Sequence, residues 1–246
     1  MTQYDVVIEA LQTNGGYATL GQLNHMVLKS TEFKWKGKTP TANIRRIVQE
    51  RPEIFKIRPG LWGLTAEHDR IMRELGISVG AGVTTPRVEE FNHSYYQGLL
   101  VQIGNWRSFR TFIPAQDKNR KFLSHPLHEM ATLSEFRPFT YEHLLKRGRT
   151  IDVTWFNDRD FPDAFFEVEH STDIHNSLLK FMEFQDFRTR FVIVADTSRR
   201  GEFDGKAAYT AFRPIKDRVE FWDYDRLSDY HTKASVAYAA QESLGF

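Results

Sequence analysis

The sequence predicts an α+β or α/β protein of two domains: three short helices closed by a β-hairpin, then a mixed β-sheet flanked by helices. Its length of 246 residues suits one large or two modest domains. Apolar residues at 41% and charged residues at 26% match soluble globular proteins, which excludes a disordered or fibrous chain. Apolar residues recur at helical spacing near the N-terminus, whereas helical and extended segments alternate after residue 88.

Three helices are predicted at the N-terminus. The first spans residues 3–13, because Val6, Val7, Ala10 and Leu11 repeat at helical spacing before a turn that contains two glycines. Apolar residues at the same spacing predict the second helix over residues 20–28, with a threonine before it as a possible N-cap. The third is expected to begin where a proline follows Thr39 and to run through residue 49, since proline is favoured in the first helical turn.

A β-hairpin is predicted next, since residues 54–64 form two extended apolar strings around Pro59-Gly60. Three helices closed by a hairpin form a winged helix, which we assign to residues 1–70. Residues 71–87 combine glycines and a proline with little apolar periodicity, which predicts a linker. The second domain is expected over residues 88–246.

The second domain is predicted to alternate helices and strands. In order, these are a helix over 91–103, a strand over 109–113, a mostly helical stretch over 128–146, strands over 151–156 and 164–168, a helix over 173–187, strands over 191–195 and 219–224, and a C-terminal helix. Such alternation favours a three-layer arrangement with a mixed sheet between helices.

Composition excludes several classes of function. The chain has no cysteine, so disulfides, thiol nucleophiles and thiolate zinc sites are excluded, and any metal would be held by histidines or carboxylates. No segment has the roughly 18 consecutive apolar residues that a membrane-spanning helix needs. Asp5 and Glu9 stand where a signal peptide would be basic and then apolar. We therefore expect a cytoplasmic protein without a membrane partner.

Three carboxylates are the strongest candidates for chemistry. Asp152 opens one predicted strand, while Glu167 and Glu169 lie two residues apart on the next and therefore point to the same face. Carboxylates held together repel one another unless a cation or a proton offsets the charge. Mg²⁺ prefers oxygen ligands, so these residues predict a magnesium site and phosphodiester hydrolysis. The alternative is that all three are solvated on an edge hairpin, although their apolar neighbours favour a buried strand pair.

An aspartate followed at a distance by acid-any residue-acid on a strand resembles the PD-(D/E)XK nuclease superfamily. The resemblance extends to the order of the predicted elements, and it implies that Asp152 and Glu167 bind the metal. The last position of the motif is usually lysine in that superfamily but is Glu169 here. This departure is similar to the minority of type II restriction endonucleases with glutamate there, and it implies that Glu169 orients or activates the attacking water.

The same resemblance implies auxiliary residues. Lys180 on the predicted 173–187 helix could replace the missing lysine, although an exposed helix lysine is the simpler interpretation. His170 should face the opposite side of the strand from Glu169, where a core or capping role is favoured over catalysis. Superfamily members often carry Glu or Gln on the first helix of the domain, and Glu90, Gln97 and Gln102 are all available for that role.

The segment from Lys29 to Arg58 is strongly basic, with nine basic and three acidic residues in a chain whose overall net charge is +1. Its motifs W-x-G-K-T-P and F-x-x-x-P-G-x-W-x-L resemble the HARE-HTH winged-helix module and the N-terminal domain of Mrr-type restriction enzymes. A helix in a major groove reads base edges with its N-terminal side chains, while flanking cations contact phosphates. The candidate base readers are Thr39, Thr41, Asn43 and Arg46. The candidate phosphate contacts are Lys36, Lys38, Lys56 and Arg58.

Together these features predict a Mg²⁺-dependent endonuclease of the restriction type, with double-stranded DNA as substrate. Cleavage of both strands would pair two active sites, which predicts a homodimer. Two alternatives stay open: a non-catalytic DNA-binding regulator with a degenerate nuclease fold, and an interaction protein whose winged helix binds another protein.

Overall fold

The computed structural model describes residues 1–29, 35, 39–77, 86–170 and 173–244. The chain forms two compact units. Unit 1 comprises Met1–Val83 together with Ser228–Phe246, and unit 2 comprises Thr84–Leu227.

Unit 1 begins with helices and a small antiparallel sheet. Its elements are α1 (Gln3–Thr13), β1 (Tyr17–Thr19), α2 (Leu20–Lys29), α3 (Pro40–Glu50), β2 (Ile54–Arg58), β3 (Leu61–Leu64) and α4 (His68–Glu74). The three strands are ordered β1-β3-β2, and both pairs are antiparallel. The three helices and the hairpin thus lie where the sequence predicted them.

Local signals explain where these helices begin and end. Thr2 and Asp5 form a reciprocal capping box at the start of α1, and the turn after α1 places Gly15 and Gly16 at φ of 80° and 91°. Thr19 Oγ1 accepts a hydrogen bond from the Gln22 main-chain N–H at 3.1 Å at the start of α2. Apolar residues of the three helices and the hairpin then pack into one core: Val6, Val7, Leu11, Leu20, Leu23, Val27, Ile44, Ile47, Val48, Ile54, Trp62 and Leu64.

The structure differs from the predicted linker over residues 71–77. Helix α4 occupies part of that range, with Ile71 fully buried and Ile77 5% exposed. Arg70 also bonds Glu74 at 2.8 Å, one turn further along α4. The three buried apolar residues, Ile71, Leu75 and Ile77, are too few to produce a visible apolar period, which is why the sequence pattern did not predict this helix. Residues 78–85 of the predicted linker lie outside the described residues.

Unit 2 is built on a five-stranded mixed sheet. Its elements are α5 (Pro86–Trp106), β4 (Arg110–Phe112), β5 (Lys121–Phe122), β6 (His125–Pro126), α6 (Leu127–Met130), α7 (Glu142–Gly148), β7 (Val153–Phe156), β8 (Pro162–Glu169), α8 (Ile174–Met182), β9 (Arg190–Ala195), α9 (Arg200–Ala207), β10 (Val219–Asp223) and the beginning of α10 (Tyr224–Leu244). The sheet order is β10-β9-β8-β7-β4, and β5 and β6 form a separate two-stranded ladder.

The central strand β8 combines both kinds of pairing. It is antiparallel to β7 and parallel to β9, which is in turn parallel to β10. Helix α5 packs on β4, β7 and β8, while α8 packs on β8 and β9. Flanking helices explain why β8 is buried almost throughout, since a strand in the middle of a covered sheet meets no solvent. The fold class is therefore α+β, with a mixed sheet flanked by helices, as predicted.

The predicted helical stretch over residues 128–146 is wrong in its centre. Helix α6 ends at Met130, because Ala131 has extended backbone angles and Leu133 forms a β-bridge with Phe112. Helix α7 begins only at Glu142, after Pro138. The sequence also gave no signal for α9, in which Phe203 is the single buried residue.

The predicted second domain ran to residue 246, but Ser228–Phe246 belongs to unit 1. Close packing of α10 against α2 accounts for this placement. A Cβ atom added at Gly21 would lie 2.9 Å from Ser235 Oγ and 3.2 Å from His231 Cε1, so the glycine permits the two helices to approach. Periodicity predicts a helix but not the surface on which it packs.

No helix within the described ranges is both long enough and apolar enough to cross a membrane.

Candidate active site

The C-terminal end of β8 carries Glu167 and Glu169, which are 2% and 4% exposed. Both sit beside the parallel partner β9, since Glu167 aligns with Ile193 and Glu169 with Ala195. Sites in open α/β sheets form at the carboxyl ends of parallel strands. Because Glu167 and Glu169 are two residues apart on this strand, both buried carboxylates lie at the same end of the sheet.

Asp152 joins them from the neighbouring strand. It lies directly before β7 and is 6% exposed. Its Oδ2 atom accepts a hydrogen bond of 2.7 Å from the main-chain N–H of Val168, the residue between Glu167 and Glu169. The structure thus brings the three predicted carboxylates to one strand end, and a solvated edge hairpin is excluded by their burial.

Helix α5 and a following loop add polar side chains to this end of the sheet. His93 Nε2 lies 3.5 Å from Asp152 Oδ1 and 3.7 Å from Asp117 Oδ2. Gln97, one turn after His93 on α5, donates from Nε2 to Asp117 Oδ2 at 2.9 Å and to the Asp152 carbonyl at 3.2 Å. Arg120 Nη1 lies 3.1 Å from Asp117 Oδ1. Asp117 and Asp152 thus both face the same imidazole nitrogen, Nε2 of His93.

His93, Asp117 and Asp152 could act together as ligands for a metal ion. One potential ligand atom from each of them lies within 4.8 Å of the other two. The Gln97 Oε1 atom beside them is buried and has no hydrogen-bond partner among the described residues. A buried amide oxygen without a partner is unfavourable, so the site offers an acceptor for a water or hydroxyl group brought in by an ion or a substrate.

Helix α8 contributes a serine and a lysine. Lys180 Nζ donates to both oxygens of Glu167, at 2.7 and 2.9 Å, and lies 3.4 Å from the Thr150 carbonyl. Ser177 Oγ donates to Glu169 Oε1 and lies 3.4 Å from Glu167 Oε2. The spacing of three residues places Ser177 and Lys180 on the same face of the helix. Each β8 glutamate therefore has its own partner on α8.

The pKa of His93 is raised and the pKa of Asp117 is lowered. Burial by itself would lower the pKa of His93, but the charges and hydrogen bonds of Asp152 and Asp117 outweigh burial and raise this pKa to about 10. Burial would raise the pKa of Asp117, but hydrogen bonds from His93 and Gln97 and the charges of His93 and Arg120 lower it. At neutral pH His93 is therefore an imidazolium.

Both glutamates of β8 are harder to ionise than usual. Burial raises the pKa of Glu167 well above its ordinary value, the charge of Asp152 raises it further, and Lys180 offsets only part of the rise. Burial also raises the pKa of Glu169; the hydrogen bond from Ser177 opposes the rise, and Asp152 adds to it. Burial of these carboxylates close to one another thus favours uptake of a cation or a proton at this end of the sheet.

The other predicted residues of unit 2 fall into two groups. Lys180 and Gln97 lie at the site, whereas Glu90 is exposed and Gln102 is partly buried further along α5. His170 bonds the Tyr224 hydroxyl group through Nδ1 at 2.5 Å, and Tyr224 stacks on Tyr96 with ring centroids 3.9 Å apart. His170 thus packs against an aromatic cluster, and its ring centroid lies 6.3 Å from that of His93.

The candidate DNA contacts lie on two elements of unit 1. Thr39 precedes α3 and is exposed, and Arg46 is exposed on that helix, while Thr41 and Asn43 are partly buried there. On β2, Lys56 is exposed and Arg58 is partly buried, with its Nη1 donating to the Ile57 carbonyl at 2.8 Å. Two further candidates, Lys36 and Lys38, lie outside the described residues.

Sequence reasoning missed His93, Asp117 and Ser177. The spacing of four between His93 and Gln97 is a signal for one helix face, and it would have singled out Gln97 among the glutamines of α5. Ser177 and Lys180 carry a similar signal on α8. Asp117 has none, because it lies in a loop and reaches the site only through the folding of that loop.

Residues 79–244 match the family described as Type II restriction enzyme NmeDI C-terminal domain. The chain belongs to this family. Membership supports a type II restriction endonuclease with DNA as its substrate. The matched range includes the site carboxylates Asp117, Asp152, Glu167 and Glu169. No match to the chain was found among curated proteins or among solved structures.

Proposed function

We propose that the protein is a metal-dependent type II restriction endonuclease with the PD-(D/E)XK type of site. The observation that carries the proposal is the convergence of buried Asp152, Glu167 and Glu169 at the end of β8. Membership in a restriction-enzyme family supplies the substrate, duplex DNA. Glu169 stands in place of the lysine that usually ends the motif, so the site is of the variant kind with two glutamates.

The residues present fit a hard divalent cation, for which we propose Mg²⁺. Asp152 and Glu167 would hold it, and the burial of these two neighbouring carboxylates supports a site that takes up a cation. The unpartnered Gln97 Oε1 offers an acceptor for a coordinated water. When bound, such an ion polarises the phosphodiester and lowers the pKa of water. His93, whose pKa of about 10 keeps it protonated, would orient Asp152 rather than bind the ion.

The protein's own residues supply the proton transfer. We assign Glu169 as the group that accepts a proton from the attacking water, since its raised pKa lies closer to neutrality than that of an ordinary glutamate. Ser177 holds its carboxylate in place through Oγ. Lys180 orients Glu167 and brings an ammonium group to the site, where it can stabilise negative charge on the phosphate.

Unit 1 would contribute DNA binding as a winged helix. In this proposal α3 enters the major groove and reads bases with Thr39, Thr41, Asn43 and Arg46, as its three helices and antiparallel hairpin allow. Phosphate contacts would come from Lys36, Lys38, Lys56 and Arg58. Cleavage of both strands would require a homodimer, with one active site for each strand.

Cleavage of mixed plasmid DNA by purified protein tests the proposal. We expect cutting with Mg²⁺, none with EDTA, and restoration on adding Mg²⁺. Asp152→Ala and Glu167→Ala should each reduce the rate to below a tenth of wild type, a change of about 1.4 kcal/mol in barrier, while DNA binding persists. Asp158→Ala, a carboxylate exposed in the β7–β8 turn, is the matched control and should cut normally. DNA retardation without cleavage under all conditions would instead favour a non-catalytic DNA-binding regulator.

Two further variants separate ligands from positioning residues. His93→Ala and Asp117→Asn should lower the rate by less than Asp152→Ala, with an unchanged Mg²⁺ requirement, if they only orient Asp152. A large increase in the Mg²⁺ concentration needed by His93→Ala would make His93 a metal ligand, in line with its position within 4.8 Å of both aspartates.

A further inference from the structure

Unit 1 contains a cavity of about 610 Å³ between α2 and α10. The volume lies in the range of roughly 300 to 1,000 Å³ that is typical of small-molecule sites. The two helices touch closely at Gly21, where an added Cβ would lie 2.9 Å from Ser235 Oγ, and the cavity opens beside this contact. Residues from both helices line it, including Gly21, Asn24, Leu28, Ser235, Val236 and Ala239.

The most informative lining residue is Asn24. It is 3% exposed, and neither its Oδ1 nor its Nδ2 atom has a hydrogen-bond partner in the part of the chain that the structure describes. Leaving a buried polar group unsatisfied costs about 1–3 kcal/mol. Because Asn24 lines the cavity, a molecule inside it can satisfy both atoms at once. A ligand with a donor and an acceptor side by side on one edge fits this requirement.

The rest of the lining suits a flat heterocycle that carries a phosphate. Leu28, Val236 and Ala239 offer apolar surface to the faces of a ring. Lys29, exposed on the last turn of α2, places an ammonium group among the residues that line the same cavity. An asparagine amide pairs in bidentate fashion with N6 and N7 of adenine, and lysine is a common phosphate ligand.

We propose that this cavity binds an adenine nucleotide unit, with the Asn24 amide on the base and Lys29 on the phosphate. The unit can come from a free nucleotide or from a base rotated out of DNA, since both present the same edge and the same phosphate. The proposal is independent of the carboxylate site, so it stands or falls separately from the nuclease activity.

Titration of the full-length protein with AMP, GMP, CMP and UMP, followed by thermal shift and calorimetry, tests the assignment. AMP should bind at least ten times more tightly than the other three. Asn24→Leu should weaken AMP binding at least tenfold. Lys29→Ala should weaken AMP but leave adenosine unchanged, whereas Lys233→Ala, a lysine of α10 that does not line the cavity and pairs with Asp229, should bind AMP normally. Equal binding of AMP by wild type and Asn24→Leu would overturn the proposal.

The stability of Asn24→Leu without ligand supplies a second readout. Leucine has a similar size and removes two unsatisfied polar atoms, so Tm should stay the same or rise. A lower Tm would mean that the amide has a structural partner, which would overturn the proposal. Ala239→Phe offers an independent variant, because it should fill the cavity and abolish AMP binding while Asn24 is retained.

Duplexes with 2-aminopurine next to an adenine distinguish the two sources, because 2-aminopurine fluoresces more strongly when its neighbour leaves the stack, and the adenine keeps the N6 group that Asn24 would bind. A rise in fluorescence on binding wild type, lost with Asn24→Leu, would identify a base rotated out of DNA. AMP binding with no fluorescence change would identify a free nucleotide. Absence of both signals would overturn the proposal.

Discussion

Two histidines, one in each unit, lie in opposite surroundings. In unit 2, Nε2 of His93 faces both Asp117 and Asp152, which raise the pKa of His93 to about 10. In unit 1, His231 is 2% exposed, and burial lowers its pKa to about 3. His93 is thus charged and His231 neutral at pH 7. A buried histidine without neighbouring carboxylates thus belongs to the core, whereas a histidine buried beside two carboxylates marks a candidate active site.

The largest effect is expected from removing the ammonium group of Lys180, which pairs with Glu167 in unit 2. Lys180→Met leaves Glu167 buried without its ion-pair partner, and we expect unit 2 to lose about 3 kcal/mol of unfolding free energy. Glu167→Gln combined with Lys180→Met should recover most of this loss, because no buried charge then lacks a partner. Urea unfolding measures both changes.

Arg190→Met is the control for this prediction. Arg190 pairs with Asp163 at the opposite end of β8, where both side chains are more exposed, so its loss should cost less than about 1 kcal/mol. Equal costs for Lys180→Met and Arg190→Met would mean that the cluster is no more sensitive to charge than an ordinary surface pair.

The two histidines should respond to pH with opposite signs in metal-free protein. For His231, whose pKa is lower in the folded state, stability is lost as the pH falls below about 6.5. For His93, whose pKa is higher in the folded state, stability is present below about 6.5 and lost as the pH rises toward 10. Each effect has a slope of about 1.4 kcal/mol per pH unit, or about 2 kcal/mol over 1.5 units.

Hydrogen exchange, followed separately on peptides of each unit, measures these slopes. Between pH 6.5 and 5, wild type should lose about 2 kcal/mol in unit 1 relative to His231→Phe. Between pH 6.5 and 8, wild type should lose about the same in unit 2 relative to His93→Gln. Slopes of the same sign for both histidines would contradict the contrast between the units.

A smaller effect is expected for Ser177→Ala. The hydrogen bond from Ser177 holds down the pKa of Glu169, so its removal should raise this pKa further. If Glu169 accepts the proton from water, the acid limb of the cleavage profile should move to higher pH. The rate there should fall by up to about tenfold, equivalent to 1.4 kcal/mol, with little change on the plateau.

A pH–rate profile of the plasmid assay shows this shift. Ser94→Ala provides the control, because Ser94 is also a buried serine of unit 2 but bonds the Phe91 carbonyl at 3.2 Å. An acid limb that does not move in Ser177→Ala would remove Glu169 from proton transfer.

The smallest effect concerns the surface of unit 1. Lys56→Ala should weaken binding to all DNA sequences alike and should lower the slope of log K against log salt by about 0.9, the value for one phosphate contact. Lys121→Ala, an exposed lysine of β5 in unit 2, is the comparison, and its slope should not change. Fluorescence anisotropy at several salt concentrations measures both slopes, and equal slopes for the two variants would remove Lys56 from the phosphate contacts.

Much of the fold could be predicted from the periodicity of apolar residues, and the wrong predictions share a few causes. Elements with a strong apolar pattern were predicted well: α2 and β9 to within one residue at each end, and α8 to within one residue at its start, although it ends at Met182 and not at residue 187. Elements with few buried residues were missed, as α4 and α9 show. The apolar pattern around Pro138 led to a wrong helix prediction, because Leu133 and Phe136 are buried by loop packing and not by a helix face.

The shared face of Glu167 and Glu169 could be predicted from the sequence, because residues two apart on a strand point the same way, whatever surrounds them. The basic character of the segment around α3 and the absence of thiol chemistry could be predicted as well. The contacts of His93 and Asp117 with Asp152, the pairing of Lys180 with Glu167, and the packing of α10 on α2 through Gly21 became visible in the folded structure. Spacing along one element is fixed by local backbone geometry, whereas contacts between distant residues depend on how whole elements pack.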